Sequence, residues 1–229
     1  LGQAVELFQS PLWITIKLAT ISTFILLLIS TPMAWWLSRD KGKFKAVVES
    51  VVAIPLVLPP TVLGFYLLIA LSPNGFLGAP LEALGIGSLA FTFEGLLIGS
   101  IIYSLAFVVR PLQNSFESVN DELLEAAATL GASPLDRFFS IAVPLSIPGF
   151  LTATALGFAH TVGEFGVALM IGGNIPGETR VMSIEIFNLV EALNYDQAHF
   201  YSAGLMIFSF LLLFLVSMIN FNSSSKNPL

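Results

Sequence analysis

Apolar runs of about twenty residues or more recur along this 229-residue chain, with only short polar stretches between them. A helix rises 1.5 Å per residue, so each such run can cross the roughly 30 Å hydrocarbon layer of a bilayer. Lipid offers no partner to a free backbone N–H or C=O, and a chain of this kind therefore folds as a bundle of spanning helices. Composition agrees, with 55% hydrophobic residues and 10% charged ones. The expected fold class is an all-α integral membrane protein, with residues 1–229 forming one transmembrane domain. The first apolar run lacks a basic start and a small-residue cleavage site, which predicts a resident span and no cleaved leader.

Five spans are predicted. The first, Leu12 to Leu37, is bounded by Trp13 on one side and by Trp35 and Trp36 on the other, at the levels where indole rings favour the interface. Lys17 lies one turn inside that end, close enough to snorkel. The loop that follows carries Arg39, Lys41, Lys43 and Lys45, the most basic stretch of the chain, and is placed in the cytoplasm by the positive-inside rule. A second span, about Val47 to Leu71, contains Pro55, Pro59 and Pro60; each removes a backbone donor, which predicts a kink or opening. That kink either shapes helix packing or lines a translocation path.

The Gly- and Pro-rich loop from Ser72 to Ser88 holds no Lys or Arg and belongs outside. A third span, Leu89 to Val109, is expected to end at Arg110 and Pro111, and a fourth runs from Pro148 to Ile171. Val181 to Leu193 is too short to span and reads as a half-buried helix near the outer face, before a last span from Ala198 to Phe221. The amino terminus is then outside and the tail SSSKNPL cytoplasmic. Arg39, Lys41, Lys43, Lys45, Arg110, Arg137 and Lys226 all fall inside, leaving Lys17 in a span and Arg180 outside. Glu6, Glu82, Glu94, Glu178, Glu185, Glu191 and Asp196 lie outside or at the outer edge.

Between the third and fourth spans the chain reads EAAATLGASPLDRFFSIAVP from Glu125 to Pro144. Asn120 is placed to cap a short amphipathic helix, with Asp121 and Glu122 in its first turn at the positive end of the helix dipole. Gly131 sits where a left-handed terminating residue is needed. A second helix can begin at once, because Ser133 is a good cap, Pro134 suits the first helical position and Asp136 completes the turn. Ala126, Ala127 and Ala128 permit close backbone approach, and Glu125 can orient a partner through a charged hydrogen bond. The pair is either a docking surface for another protein or an interfacial element packed under its own bundle.

The pattern Glu125-Ala126-Ala127, three residues, Gly131, nine residues, Ile141, one residue, Val143-Pro144 resembles the EAA loop of bacterial ABC-importer permeases, with Val143 where that family usually has Leu. The segments IPLVLPPTVLG, LEAAATLGASPLDRFF and GEFGVALMIGGNIPGETR resemble the permease subunits of molybdate importers, a branch close to the sulfate and thiosulfate permeases. The resemblance implies a type I importer in a bacterial or archaeal inner membrane. Its expected assembly is a homodimer of this chain, two ATPase subunits below and a periplasmic oxyanion-binding protein above. The loop, residues 117–144, would bind the ATPase through Glu125, Ala126, Ala127, Gly131, Ser133, Pro134 and Arg137. ATP-driven closure would then push the Glu125 to Phe139 helices together and rock the spans between inward- and outward-facing states.

No P-loop pattern occurs, so ATP and its magnesium are expected on the partner ATPase, with no cofactor in this chain and no catalysis by it. The absence of Cys excludes disulfides and thiolate metal sites, and a net charge of −6 argues against a nucleic-acid partner. His160 and Glu164 are four residues apart and are expected on one helix face. They read either as a structural pair tying helices together or as a proton relay, which would make this a secondary carrier. A fixed carboxylate in the path of a dianion repels it strongly where the pore is narrow and dry, which favours the structural pair. Arg180, the sole outside arginine, either receives an oxyanion or pairs with an acid on the binding protein, or is a solvated loop charge. Pro55, Pro59, Pro60, Glu164 and Arg180 are the pathway or gate candidates. The charge distribution generates one direct expectation: alkaline phosphatase fused after Lys226 is inactive in cells, whereas an active fusion would reverse the topology.

Overall fold

The computed structural model describes residues 10–85 and 87–225, and among them all regular structure is helical. Glu6 and the tail residues 226–229, used above to orient the chain, lie outside the described residues. The first helix, α1 (Pro11–Arg39), starts where Ser10 Oγ accepts from the Trp13 N–H at 3.3 Å, with Pro11 at the first helical position. It matches the first expected span.

The second expected span is two helices, α2 (Lys43–Val57) and α3 (Pro60–Leu71), which meet at 112°. The proline reading predicts a kink, and the chain makes a full break. Pro59 and Pro60 are consecutive, and a residue preceding proline is pushed out of the helical region. Leu58 and Pro59 accordingly take extended ψ values of 138° and 134°. Pro55, by contrast, is carried inside α2 and buried.

A short α4 (Gly78–Ala83) interrupts the loop expected between spans two and three. The third span is α5 (Phe93–Glu117), capped by Thr92, whose hydroxyl accepts from the Gly95 N–H at 3.1 Å. It does not stop at Arg110 and Pro111 but runs two further turns. Proline costs the helix one donor, and here the extension buries Leu112, Gln113 and Phe116, which outweighs that loss. After α6 (Asp121–Thr129) and the single turn α7 (Pro134–Arg137), a π turn over Phe138–Ala142 and α8 (Val143–Leu145) lead through a 70° bend into α9 (Ile147–Val162). The expected fourth span is broken at residues 163–165, after which α10 (Gly166–Gly172) begins. Last come α11 (Met182–Glu191), the expected half-buried helix, and α12 (Tyr195–Ser225). Among the described residues three helices are long and apolar enough to cross a membrane singly, and counting each bent pair as one span raises this to five, the number expected.

At the centre α1, α5 and α9 pack as a triangle, burying Leu26, Leu37, Val108, Val109, Leu112, Phe116 and Ala153. A second cluster joins Ile14 and Leu18 of α1 to Leu96, Ala168, Val181 and Ile184. Against this body α12 packs mainly on α9 and α11, and none of its apolar window is buried in the chain.

The two broken helices nest against each other through a pair of glycines. A Cβ on Gly64 of α3 would meet Met170 Cβ at 2.7 Å and Val167 Cα at 3.2 Å, and one on Gly166 of α10 would meet Pro60 Cβ at 2.8 Å. Small residues allow this close approach, which is how helices associate where no hydrophobic drive separates protein from solvent. Gly64→Val is expected to destabilise the fold by about 1–3 kcal/mol through overpacking. Thermal unfolding in detergent would show this as a lower midpoint than that of a control substitution at exposed Ile69.

Candidate functional site

The α6–α7 element is built as the residue pattern expects. Asn120 Oδ1 accepts from the Glu122 N–H at 2.9 Å, with Asp121 and Glu122 in the first turn. At the other end Gly131 adopts φ 89°, a left-handed conformation in which a side chain would be strained. Its N–H donates to the Ala128 carbonyl at 3.0 Å, and the Ala132 N–H to that of Ala127 at 3.0 Å, so the last carbonyls are satisfied.

Ser133 and Asp136 then form a reciprocal cap. The Asp136 N–H donates to Ser133 Oγ at 3.2 Å, and Asp136 Oδ2 accepts from the Ser133 N–H at 3.1 Å and from its hydroxyl at 2.6 Å. The Ser133 hydroxyl, then its N–H, hold the Asp136 carboxyl below the usual carboxylate range. The cap's contribution is therefore complete above that range and is lost only as pH falls through the depressed value. Arg137 ties the two helices together, its Nη1 donating to the Leu124 carbonyl at 3.4 Å.

Of the α6 side chains only Leu124 is buried. Leu123, Leu130, Leu135 and Phe139 stand exposed, Leu130 by 88%. Ala126 is also exposed and Ala127 half-buried. Glu125 lines the rim of a hollow of about 270 Å³ with Trp35, Arg39, Asp121, Leu124, Pro134 and Arg137. Among the described residues no ion pair engages its carboxylate. The element thus presents an apolar ridge and an unpaired acid beside a concavity, an arrangement suited to docking.

Arg39 was not singled out by sequence reasoning beyond its part in the basic loop, yet it pairs with Asp121 and with the backbone at the end of α5. A cation at the last residue of a helix is a recognisable signal. Its partners lie 77 to 82 residues away, and nothing local announces them.

The pathway candidates do not converge into one constellation. Pro59 and Pro60 sit at the α2–α3 break and Pro55 within α2. His160 and Glu164 do not share a helix face, because α9 ends at Val162 and Glu164 falls in the break that follows. His160 does tie helices: Ser104 Oγ of α5 lies 2.9 Å from its Nδ1, and its ring stacks 3.8 Å from that of Phe107. Ser104 Oγ also lies 3.1 Å from Thr161 Oγ1, which accepts from Ser22 Oγ at 3.4 Å, so hydroxyls stitch α1, α5 and α9.

Glu164 is only 3% exposed, neither carboxylate oxygen has a hydrogen-bond partner of good geometry, and the Ser100 hydroxyl beside it is likewise without one. Its backbone carbonyl accepts from Ser183 Oγ. Arg180 is no free loop charge. Its Nε donates to Asn174 Oδ1 at 2.6 Å and its Nη1 to Glu185 Oε2 at 3.4 Å, which braces the loop against α11. Among the described residues no group of three or more His, Asp or Glu side chains could hold a metal ion.

Residues 27–224 match the model of the binding-protein-dependent transport system inner membrane component family. The chain belongs to that family. Its members are transport permeases, and the apolar helices place this one as a multi-pass inner-membrane protein. The chain is 56% identical over 201 residues to the molybdenum transport system permease protein ModB of Azotobacter vinelandii, covering 88% of this chain and 89% of that one. It is 36% identical to the ModB of Escherichia coli K12 over 190 residues, covering 81% and 82%. Among solved structures, a bacterial alginate ABC transporter in complex with its alginate-bound periplasmic protein contains a chain that superposes with a TM-score of 0.73 at 18% identity, over 93% of this chain and 79% of that one, a likeness of fold. The expected EAA element therefore sits in a family member with the expected architecture.

Glu164 generates a prediction of its own. A buried ionisable group with no ion pair and only the Ser100 hydroxyl beside it costs stability, and a neutral isostere can keep that one contact without the charge. Glu164→Gln is expected to unfold in detergent at a temperature equal to or above that of the parent. A markedly lower midpoint would mean that the carboxylate holds a partner.

Proposed function

We propose that this chain is the permease subunit of an ATP-driven importer for molybdate, or its close analogue tungstate, working as a homodimer. The observation that carries the reading is the 56% identity, over nearly the full length of both chains, to a permease named for molybdenum transport. Identity of that order over nearly nine-tenths of both chains supports a shared cargo as well as a shared fold. Sulfate and thiosulfate have less behind them, since the relatives described above bear the name of molybdenum. A proton-coupled carrier has less still: of its candidate relay, His160 lies on α9 and Glu164 in the break after it.

In this reading α6–α7 faces the cytoplasm and docks on an ATPase subunit that binds ATP and magnesium. Glu125, Ala126, Ala127, Gly131, Ser133, Pro134 and Arg137 form or shape the contact. The exposed Leu123, Leu130, Leu135 and Phe139 support this, because apolar side chains gathered on one short polar-rimmed element mark an interaction surface. The amino terminus lies outside and the carboxyl terminus inside. A periplasmic oxyanion-binding protein meets the opposite face, near the loop braced by Arg180. The broken helices with Pro55, Pro59, Pro60 and Glu164 border the path, and two copies of the chain enclose it. Nucleotide-driven closure of the ATPases moves the α6–α7 elements together, and the attached helices exchange access between the two sides.

Two substitutions test the docking role. Glu125→Lys reverses the unpaired charge, and Gly131→Leu places a side chain at φ 89°. Each is expected to reduce molybdate uptake and binding-protein-stimulated ATP hydrolysis to background in proteoliposomes, while the purified Glu125→Lys permease keeps its parental thermal midpoint and Gly131→Leu, strained at that φ, unfolds at a somewhat lower one. Parental coupling in both variants would refute the role. Cargo is tested separately by titrating the partner binding protein with molybdate, tungstate and sulfate, with molybdate expected to bind at least tenfold tighter than sulfate, about 1.4 kcal/mol.

A further inference from the structure

We propose that Arg39 is the positioning residue of the coupling step: it clamps the α6–α7 element to the end of α1, so that α1 moves with the element as one body. This rests on the coupling role argued above and assigns to α1 a part that chain connectivity does not require. By connectivity alone, α6–α7 is joined to α5 on one side and to α9 on the other. Arg39 adds a third attachment, to a helix that precedes the element by more than eighty residues.

The clamp has several independent contacts. Arg39 Nη1 pairs with Asp121, the first residue of α6. Nη2 donates to the Phe116 carbonyl at 2.8 Å and to the Val119 carbonyl at 3.2 Å, holding the two backbone groups at which α5 gives way to α6. The guanidinium lies 4.8 Å over the Trp35 ring, whose edge meets Phe116 at 5.3 Å and Phe138 at 5.2 Å. Phe138 opens the π turn after α7, so Arg39 and the indole beneath it reach both ends of the element. A planar fork serves the carboxylate from one nitrogen and the two carbonyls from another, whereas an ammonium presents all its donors from a single atom.

A clamp of this kind matters because of what α1 does at its other end. Thr15, 24 residues before Arg39 and therefore about 36 Å away along the helix, accepts from the Met182 N–H at 2.8 Å. Around that bond Ile14 and Leu18 are buried with Val181 and Ile184. The α1 helix therefore joins the docking element to the segment that follows Arg180, at the far end of the bundle. A displacement delivered to α6 has a continuous route to that segment through α1, which stays helical across Pro32 from Pro11 to Arg39.

The test uses the complete transporter, permease with ATPase subunits and binding protein, in proteoliposomes, and reads molybdate imported per ATP hydrolysed. Arg39→Ala is expected to lower that ratio roughly tenfold, at the upper end of what residues linking two sites contribute, while ATPase subunits still co-purify in parental amount. Arg39→Lys, which keeps a charge for Asp121 but lacks the two-nitrogen fork, is expected to lie between the two. It also serves should the alanine variant fail to assemble. A parental ratio in either variant overturns the proposal, as does a loss of uptake that merely follows loss of bound ATPase. A parent complex without ATP-dependent molybdate uptake would instead refute the functional reading itself, and would be seen before Arg39 is altered.

Discussion

Two interruptions of the helical backbone meet at one place, and the rest of the bundle is arranged around that meeting. At membrane depth a broken helix is tolerated only where protein surrounds the break, because lipid cannot satisfy the freed groups. Here each break covers the other: Gly166, which opens α10, packs on Pro60, which opens α3. Local bonds complete the cover. The Pro59 carbonyl accepts from the Val62 N–H at 2.9 Å, and the Gly163 N–H returns to the Ala159 carbonyl at 3.1 Å. Once nested, the short α3 and α10 lie against the α5 face through Gly99 and Ile171, and the long helices are left to form the frame.

That frame is stiff where the docking element is open. The hydroxyl chain from Ser22 through Thr161 and Ser104 to His160 joins α1, α5 and α9 by side-chain contacts that find no competing water in a bilayer. Lys45 adds ion pairs to Glu49 at 3.7 Å and Glu117 at 3.4 Å, fastening α2 to the end of α5. By comparison α6 buries a single side chain, and α7 is one turn held by its cap. Such an element keeps its shape through local bonds and its position through Arg39 and Arg137, which suits a part that must receive force from another protein without deforming.

Much of the docking element is legible residue by residue, because capping is local chemistry. Asn120, Gly131, Ser133, Pro134 and Asp136 act on neighbours within a few positions, and all do what their types predict. The apolar spans are legible for a similar reason, since a run of twenty apolar residues has one solvent to suit. The readings that required a helix to continue or stop fared less well. Pro111 does not end α5, and residues 163–165 end α9 without a proline, because burial decided both cases and propensity did not. The shared face of His160 and Glu164 failed with the second of these.

The amino-acid sequence alone determined the solvent, the apolar runs long enough to cross it and the capped pair of helices α6–α7, since each depends on run length or on contacts within one turn. The tertiary structure decided which breaks are tolerated, how Arg180 is paired with Glu185 and held by Asn174, and that Arg39 reaches Asp121 across 82 residues. These last are pairings between distant segments. No local pattern encodes them, because their energy appears only when packing has already brought the partners together.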